Sequence, residues 1–393
     1  MNKNYPIYYA GFDPGSGKAA LQVIPTDGID LSTDILTIDT NLRSKVQYCT
    51  HADARSAATA RQVEIAHVNA TWYESTMADV DPSTLLNRGD VNATIANVLH
   101  DGECLISWNG NDYALGDLVK QGRNPRDELG NQGRYWGDHA KVLLLALASQ
   151  LVPERAFALC LVTALPITLY NRENRQRMKR ELSGLYCFEY NGCPHEIEVR
   201  VGYVAMEGQG ILIHCGREEG EQAVLDIGER TLDCIATDGQ KLLTNLCGGE
   251  ELGIGQITDA VKAIGKRYGR VVSTTTAHTL LSAYAHQQPL PVIRASTTVI
   301  PETEIVDAIS KSTANLAKRV ASFAGSLWNV EGEAAGARFE QIMLGGSGAY
   351  YLGERLASVL PQMVVPADPE YANVRGYTDL ALTLEEKVPT IWE

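Results

Sequence analysis

The stretch that most constrains this chain is Val224-Leu225-Asp226-Ile227-Gly228-Glu229-Arg230-Thr231-Leu232-Asp233. A short apolar run reads as a strand that ends on an Asp. Gly228 then breaks it with a sharp turn, and a second strand begins at Thr231. Such a turn brings backbone N–H groups, a hydroxyl and a carboxylate against one phosphate–metal unit. Taken alone, the pattern reads equally well as a plain hairpin turn built on an Asp and a Gly.

A second copy of the design changes that balance. Near the N-terminus, Tyr8-Tyr9-Ala10-Gly11-Phe12-Asp13-Pro14-Gly15-Ser16-Gly17-Lys18 runs from an apolar strand through an Asp into a Gly-rich turn, and a strand restarts at Ala19. Two such hairpins, far apart in the chain, predict two related domains facing each other across a nucleotide. A third element, Ile342-Met343-Leu344-Gly345-Gly346-Ser347-Gly348-Ala349-Tyr350, is a strand, a glycine cluster and the start of a helix. Its glycines allow close backbone approach to a flat or anionic ligand. In order and spacing the three elements resemble those of the actin superfamily of ATPases, where they are the phosphate-1, phosphate-2 and adenosine motifs. The resemblance implies an α/β, actin-like (ribonuclease H-like) two-domain fold with a nucleotide cleft between the domains. Residues 1–215 would form the first part of domain I, with a small inserted subdomain at about 35–130. Residues 216–356 would form domain II, and 357–393 would return to domain I.

Composition excludes several other classes. The chain has 393 residues, enough for two or more cored domains, and 45% hydrophobic with 21% charged residues is ordinary for a globular protein. No apolar run approaches the ~18–20 residues that span a bilayer, and Met1-Asn2-Lys3-Asn4-Tyr5 has no signal-peptide core. The eight cysteines form no CxxC pair, which argues against zinc, and several sit in apolar strands as expected of reduced thiols in a cytoplasm. A net charge of −14 argues against direct binding of nucleic acid.

Along the chain, Asp13 is a candidate Mg²⁺ ligand through water, and Gly15, Ser16 and Gly17 are candidate phosphate contacts. Lys18 reads either as a phosphate contact or as a solvated turn lysine. The turn is no P-loop, because Phe12 stands where the first Gly is required and Ala19 where a Ser or Thr is. Asn109-Gly110 between apolar runs predicts a hairpin. Residues 135–152 predict a buried helix with His139 as a core histidine, and Arg172–Leu182 a helix with a solvated basic face. Residues 186–215 predict β structure. Within it Glu207 precedes Asp226 by nineteen residues. In actin-like proteins a Gln or Glu at about this distance orients the attacking water, and a Glu is also able to take its proton; Gln209 is the nearby rival. Gly228, Thr231, Gly345, Gly346 and Ser347 are candidate nucleotide contacts, Asp226 a candidate metal ligand. Lys262, on a helix predicted over Gln256–Gly265, is a candidate for the base or ribose pocket. A long amphipathic helix is predicted over Glu304–Ala324.

Three further stretches resemble the bacterial plasmid-segregation actins of the ParM/StbA type: Leu161-Val162-Thr163-Ala164-Leu165-Pro166-Ile167, Leu252-Gly253-Ile254-Gly255-Gln256-Ile257-Thr258-Asp259-Ala260-Val261-Lys262, and Pro369-Glu370-Tyr371-Ala372-Asn373-Val374-Arg375-Gly376-Tyr377. Pro14, and Glu229-Arg230 where small or hydroxyl residues are common, depart from the pattern. Arg230 reads either as a phosphate contact or as a solvated side chain. The resemblance implies ATP or GTP with Mg²⁺, head-to-tail association into a helical filament, hydrolysis that loosens it, and a small DNA-binding adaptor of the ParR type that links filament to plasmid. A small-molecule kinase and a non-polymerising scaffold of the FtsA or PilM type are the alternatives within the superfamily.

Overall fold

The computed structural model describes residues 5–15, 18–25, 69–74, 77–89, 93–126, 131–217, 219–295, 298–329, 336–387 and 389–392. The described residues divide into two compact units. One holds those up to Cys215 together with Tyr371 onward, the other Gly216–Glu370.

The first unit is built on a ten-stranded sheet. Its strands are β1 (Ile7–Asp13), β2 (Lys18–Pro25), β3 (Asn69–Glu74), β4 (Met77–Asp79), β5 (Glu103–Trp108), β6 (Asn111–Gly116), β7 (Arg123–Arg126), β8 (Ala156–Leu165), β9 (Gly184–Tyr190) and β10 (Cys193–Met206). They lie in the order β3-β2-β1-β8-β10-β9-β5-β6-β4-β7. The centre, β1-β8-β10, is parallel. β1 and β8 are apolar along nearly their whole length because both faces are covered, while β10 carries Glu196, Glu198 and Arg200 in its first half and turns apolar toward Met206. Tyr8, Ala10 and Phe12 face a core that includes the helix Asp138–Leu151, while Tyr9 faces a second core with Tyr377, Ala381 and Trp392. The helix Asp138–Leu151 buries ten of its fourteen residues, His139 among them, which fits the core-histidine reading. The described part of 35–130 extends this sheet through β5 against β9, with an apolar cluster of its own around Leu85, Leu105 and Leu118. Its Asn109-Gly110 turn forms as predicted. Both residues have positive φ, 51° and 75°, and Trp108 pairs with Asn111, as in a two-residue turn matched to the strand twist.

The second unit centres on β11 (Glu221–Ile227), antiparallel to β12 (Leu232–Asp238) and parallel to the later β17 (Gln341–Gly345). The strands β13 (Lys241–Leu242) and β14 (Gly248–Glu250) add to β12, β15 (Arg294–Ala295) and β16 (Thr298–Val299) pair separately, and β18 (Met363–Val364) extends β17. The helices Gly255–Arg267, Thr274–Ala285, Glu302–Trp328 and Ala349–Ala357 enclose its core. The helix Glu302–Trp328 buries Ile305, Ile309, Thr313, Leu316, Val320, Ala324 and Trp328, one stripe at three- and four-residue spacing.

Three sequence expectations are corrected. The return to the first unit comes at Tyr371, not 357, because β18 pairs with β17 and Gly346 N–H donates to Pro369 O at 2.9 Å. The β structure predicted over 186–215 ends at Met206. Gly208, at φ 87°, turns the chain into a helix, Gln209–Cys215. The long helix outruns the predicted Glu304–Ala324 at both ends, and Trp328 Nε1 donates to Leu246 O at its final turn.

Candidate functional site

In the first unit, Asp13 is the last residue of β1 and is half-buried. Glu207 directly follows β10, with its N–H donating to Leu165 O at the end of β8, 2.8 Å away. Asp13 and Glu207 thus stand at the carboxyl ends of parallel strands with one strand, β8, between them, roughly 10 Å from each other by strand spacing. Carboxyl ends of parallel strands are where open α/β sheets bind ligands. Glu207 is only 7% exposed. Its rival Gln209 is otherwise engaged, since its Oε1 accepts from Met206 N–H at 2.8 Å. Gly15 is half-buried just past Asp13. Ser16, Gly17 and the side chain of Lys18 lie outside the described residues.

The Glu207 turn is held from beneath by the C-terminal helix, Ala372–Lys387. Asn373 Oδ1 accepts from Gly208 N–H and from Tyr377 OH, each at 3.2 Å. A Cβ on Gly376 would lie 1.9 Å from Gly210 O, and one on Gly210 would lie 2.2 Å from Asn373 O. A Cβ on Gly11 would lie 2.1 Å from Val374 O, and Gly11 N–H donates to Thr378 Oγ1 at 3.0 Å. Helix, turn and β1 therefore touch backbone to backbone, which only glycine permits. The Asn373-to-Tyr377 stretch, which the sequence marks only by family likeness, has this physical role.

In the second unit, Asp226 is 6% exposed on β11, opposite Gly345 on β17 and Asp233 on β12. Gly228 N–H donates to Thr231 O at 2.9 Å and closes the turn, with Thr231 half-buried at its end. Gly346, at φ 73°, lies where a Cβ would sit 2.7 Å from Asp226 Oδ1, and Gly348 N–H donates to Ile227 O at 2.8 Å. Asp226, Gly228, Gly345, Gly346 and the half-buried Ser347 thus gather at one end of the sheet. Lys262 is less close. Ile254 and Gly255 donate to Gly228 O and Glu229 O, so the helix starts at the turn. Lys262 is two helical turns along, about 10 Å, and pairs with Asp259 at 3.5 Å.

The structure also explains Glu229-Arg230. Arg230 is exposed. Glu229 is 9% exposed and its Oε2 lies 3.1 Å from Nε2 of His278, on the helix Thr274–Ala285. Burial, with the carboxylates of Glu370 and then Glu229, pushes the Tyr351 hydroxyl well above its usual range. The sequence offered a clue in the acidic residue at a position where small residues are common, but His278 carries no local signal.

Two family models match the sequence. One describes the N-terminal domain of actin-like proteins and covers residues 65–210; the other describes the C-terminal domain of the MreB-like archaeal actin homologue and covers 224–358. The chain is an actin-like protein. Solved structures agree in fold. A non-polymerisable quadruple mutant of pCBH ParM superposes with a TM-score of 0.67 at 16% identity over 96% of this chain and 99% of that one. A 15-stranded ParM filament from Clostridium botulinum gives 0.66 at 16% identity, covering 98% and 100%. An archaeal actin homologue in complex with ADP gives 0.62 at 19% identity, covering 95% and 98%. No curated protein matches the sequence.

Proposed function

We propose that this actin-like protein is a nucleotide-dependent, filament-forming ATPase that segregates DNA, as in plasmid partition of the ParM type. The observation that carries the reading is the pair of Asp-terminated strand–turn–strand hairpins, one per unit, with the buried Glu207 two strands from Asp13. The ADP bound by the archaeal homologue and the filament formed by the clostridial ParM support it.

In this reading Asp13 and Asp226 hold Mg²⁺, and Gly15, Ser16, Gly17, Lys18, Gly228 and Thr231 contact the phosphates of ATP or GTP. Gly345, Gly346 and Ser347 cradle the nucleoside, and Lys262 borders it. The donor set fits Mg²⁺, which takes one or two carboxylates and fills its octahedron with water and substrate oxygens. Among the described residues no group of three or more ligating side chains gathers, so a full protein cage is not offered there. When bound, the ion supplies charge neutralisation at the phosphates. Glu207 orients the attacking water and receives its proton, and hydrolysis loosens the filament. The net charge of −14 leaves DNA contact to a basic adaptor of the ParR type. No helix among the described residues is long and apolar enough to cross a membrane, in keeping with work in the cytoplasm.

Light scattering and phosphate release, recorded together after adding Mg-ATP and then Mg-GTP, test this. Scattering is expected to rise at once and to fall as phosphate accumulates. Glu207→Ala is expected to assemble without disassembling. No scattering with either nucleotide would overturn the filament reading, and phosphate release appearing only with an added acceptor would favour a kinase.

A further inference from the structure

Arg134 is 3% exposed, in a place where a guanidinium is costly unless its donors are used. It lies in the short 3₁₀ turn Gln132–Tyr135, which is tightly fixed. Asn131 Oδ1 accepts from Gly133 N–H at 2.8 Å, Gly133 O accepts from Gly137 N–H at 2.6 Å, and the buried helix Asp138–Leu151 follows at once. From this anchor one guanidinium nitrogen, Nη2, donates to Gly15 O at 2.6 Å and Pro14 O at 3.2 Å. Its carbon lies 5.3 Å from the Tyr135 ring centre, a second fixed contact. A buried cation thus grips two successive carbonyls of the turn that follows Asp13.

The direction of those carbonyls matters. In a trans peptide C=O and N–H point to opposite sides, and the chain has no cis bond among the described residues. With Pro14 O drawn toward Arg134, Gly15 N–H points to the other side of the turn. Pro14 itself has no N–H to offer. The turn therefore has one donor fewer than a proline-free turn, and its carbonyls would repel a polyphosphate if they rotated toward it. We infer that Arg134 is a positioning residue for this turn: its guanidinium holds the Pro14 and Gly15 carbonyls away from the nucleotide and so aims Asp13 and the Gly15 N–H at the polyphosphate. The assignment rests on the nucleotide-binding reading above. No sequence signal links Arg134 to the turn, because 119 residues separate it from Gly15.

The test is titration of the full chain with Mg-ATP and with a fluorescent ADP analogue, in wild type, Arg134→Met and Arg134→Lys, with thermal unfolding in the absence of nucleotide. Arg134→Met is expected to weaken nucleotide binding about 10- to 100-fold, the loss of a buried charge-assisted bond. Arg134→Lys keeps the charge but loses the planar fork, and is expected to lose several-fold. In steady-state hydrolysis KM is expected to rise more than kcat falls, a split that a general loss of folded protein would not produce. Affinity within twofold of wild type in a folded Arg134→Met overturns the assignment. Should Arg134→Met fail to fold, wild-type affinity and KM in Arg134→Lys overturn it. A wild-type chain that binds neither nucleotide overturns instead the nucleotide reading itself.

Discussion

Replacing Gly376 with alanine probes how the Glu207 turn is held. The added Cβ would lie 1.9 Å from Gly210 O, 2.5 Å from Gly210 C and 2.7 Å from Gly210 Cα, all backbone atoms that no rotamer change can move. Ordinary contact begins near 3.4 Å, so helix and turn must part by roughly 1.5 Å. The same helix is pinned at Gly11 and at Asn373, so the retreat strains those contacts too. Overpacking of a well-filled core costs about 1–3 kcal/mol, and a clash confined to backbone belongs at the upper end. About 3 kcal/mol lowers the melting temperature of a unit of this size by roughly 6–12 °C. Differential scanning calorimetry reads that shift. Phosphate release, measured well below the transition, is expected to fall as well, because the turn that displaces carries Glu207. A Gly376→Ala chain that melts within 1 °C of wild type and hydrolyses normally would refute the backbone-to-backbone docking.

Gly228→Ala is expected to do the reverse. Nothing lies nearer than 3.8 Å to a Cβ there, so stability should stay within about 0.5 kcal/mol while nucleotide affinity, read by titration, falls as the methyl takes ligand space. Asn373→Ala removes the acceptor for Gly208 N–H and Tyr377 OH and is expected to cost about 1–3 kcal/mol in urea unfolding. Arg338 donates to both Glu221 oxygens, at 2.8 and 2.7 Å, and this bonding holds the Glu221 carboxyl below its usual 4.5. A carboxylate whose pKa is lowered by folding stabilises above its unfolded pKa and loses that stabilisation as pH falls through the folded value. Glu221→Gln should therefore cost under ~1 kcal/mol at pH 7, the pair being partly exposed, and nothing once pH is well below 4. Among the described cysteines, burial pushes the Cys160 thiol up to about 12 and the Cys234 thiol well above 9.0, while Cys187 is exposed. Iodoacetamide at pH 8, followed by peptide mass analysis, is expected to label Cys187 first and those two only after unfolding.

Much of this protein was written in local pattern. Asp13 at the end of its strand and Asp226 one residue before the end of its own, the Gly228 turn, the glycine cluster at 345–348 and the Asn109-Gly110 hairpin are short-range features, and a few adjacent residues suffice to specify each. The strand leading to Asp13 was legible as a continuous apolar run and the helix after residue 301 as a stripe, because burial on two faces or on one imposes those patterns directly. The turn at Gly208 was read as strand because a single positive φ redirects the chain without disturbing the apolar pattern around it. Partners distant in sequence were not legible at all. Arg134 beneath Pro14 and Gly15, His278 against Glu229, and Asn373 and Gly376 against Gly208 and Gly210 meet only once the chain has folded. The sequence by itself determined where carboxylates and glycines punctuate the strands, because each such break is a local matter of backbone freedom and charge. Tertiary structure alone decided which buried side chains hold those breaks in place, because a hydrogen bond between residues 49 to 165 positions apart leaves no periodicity behind it.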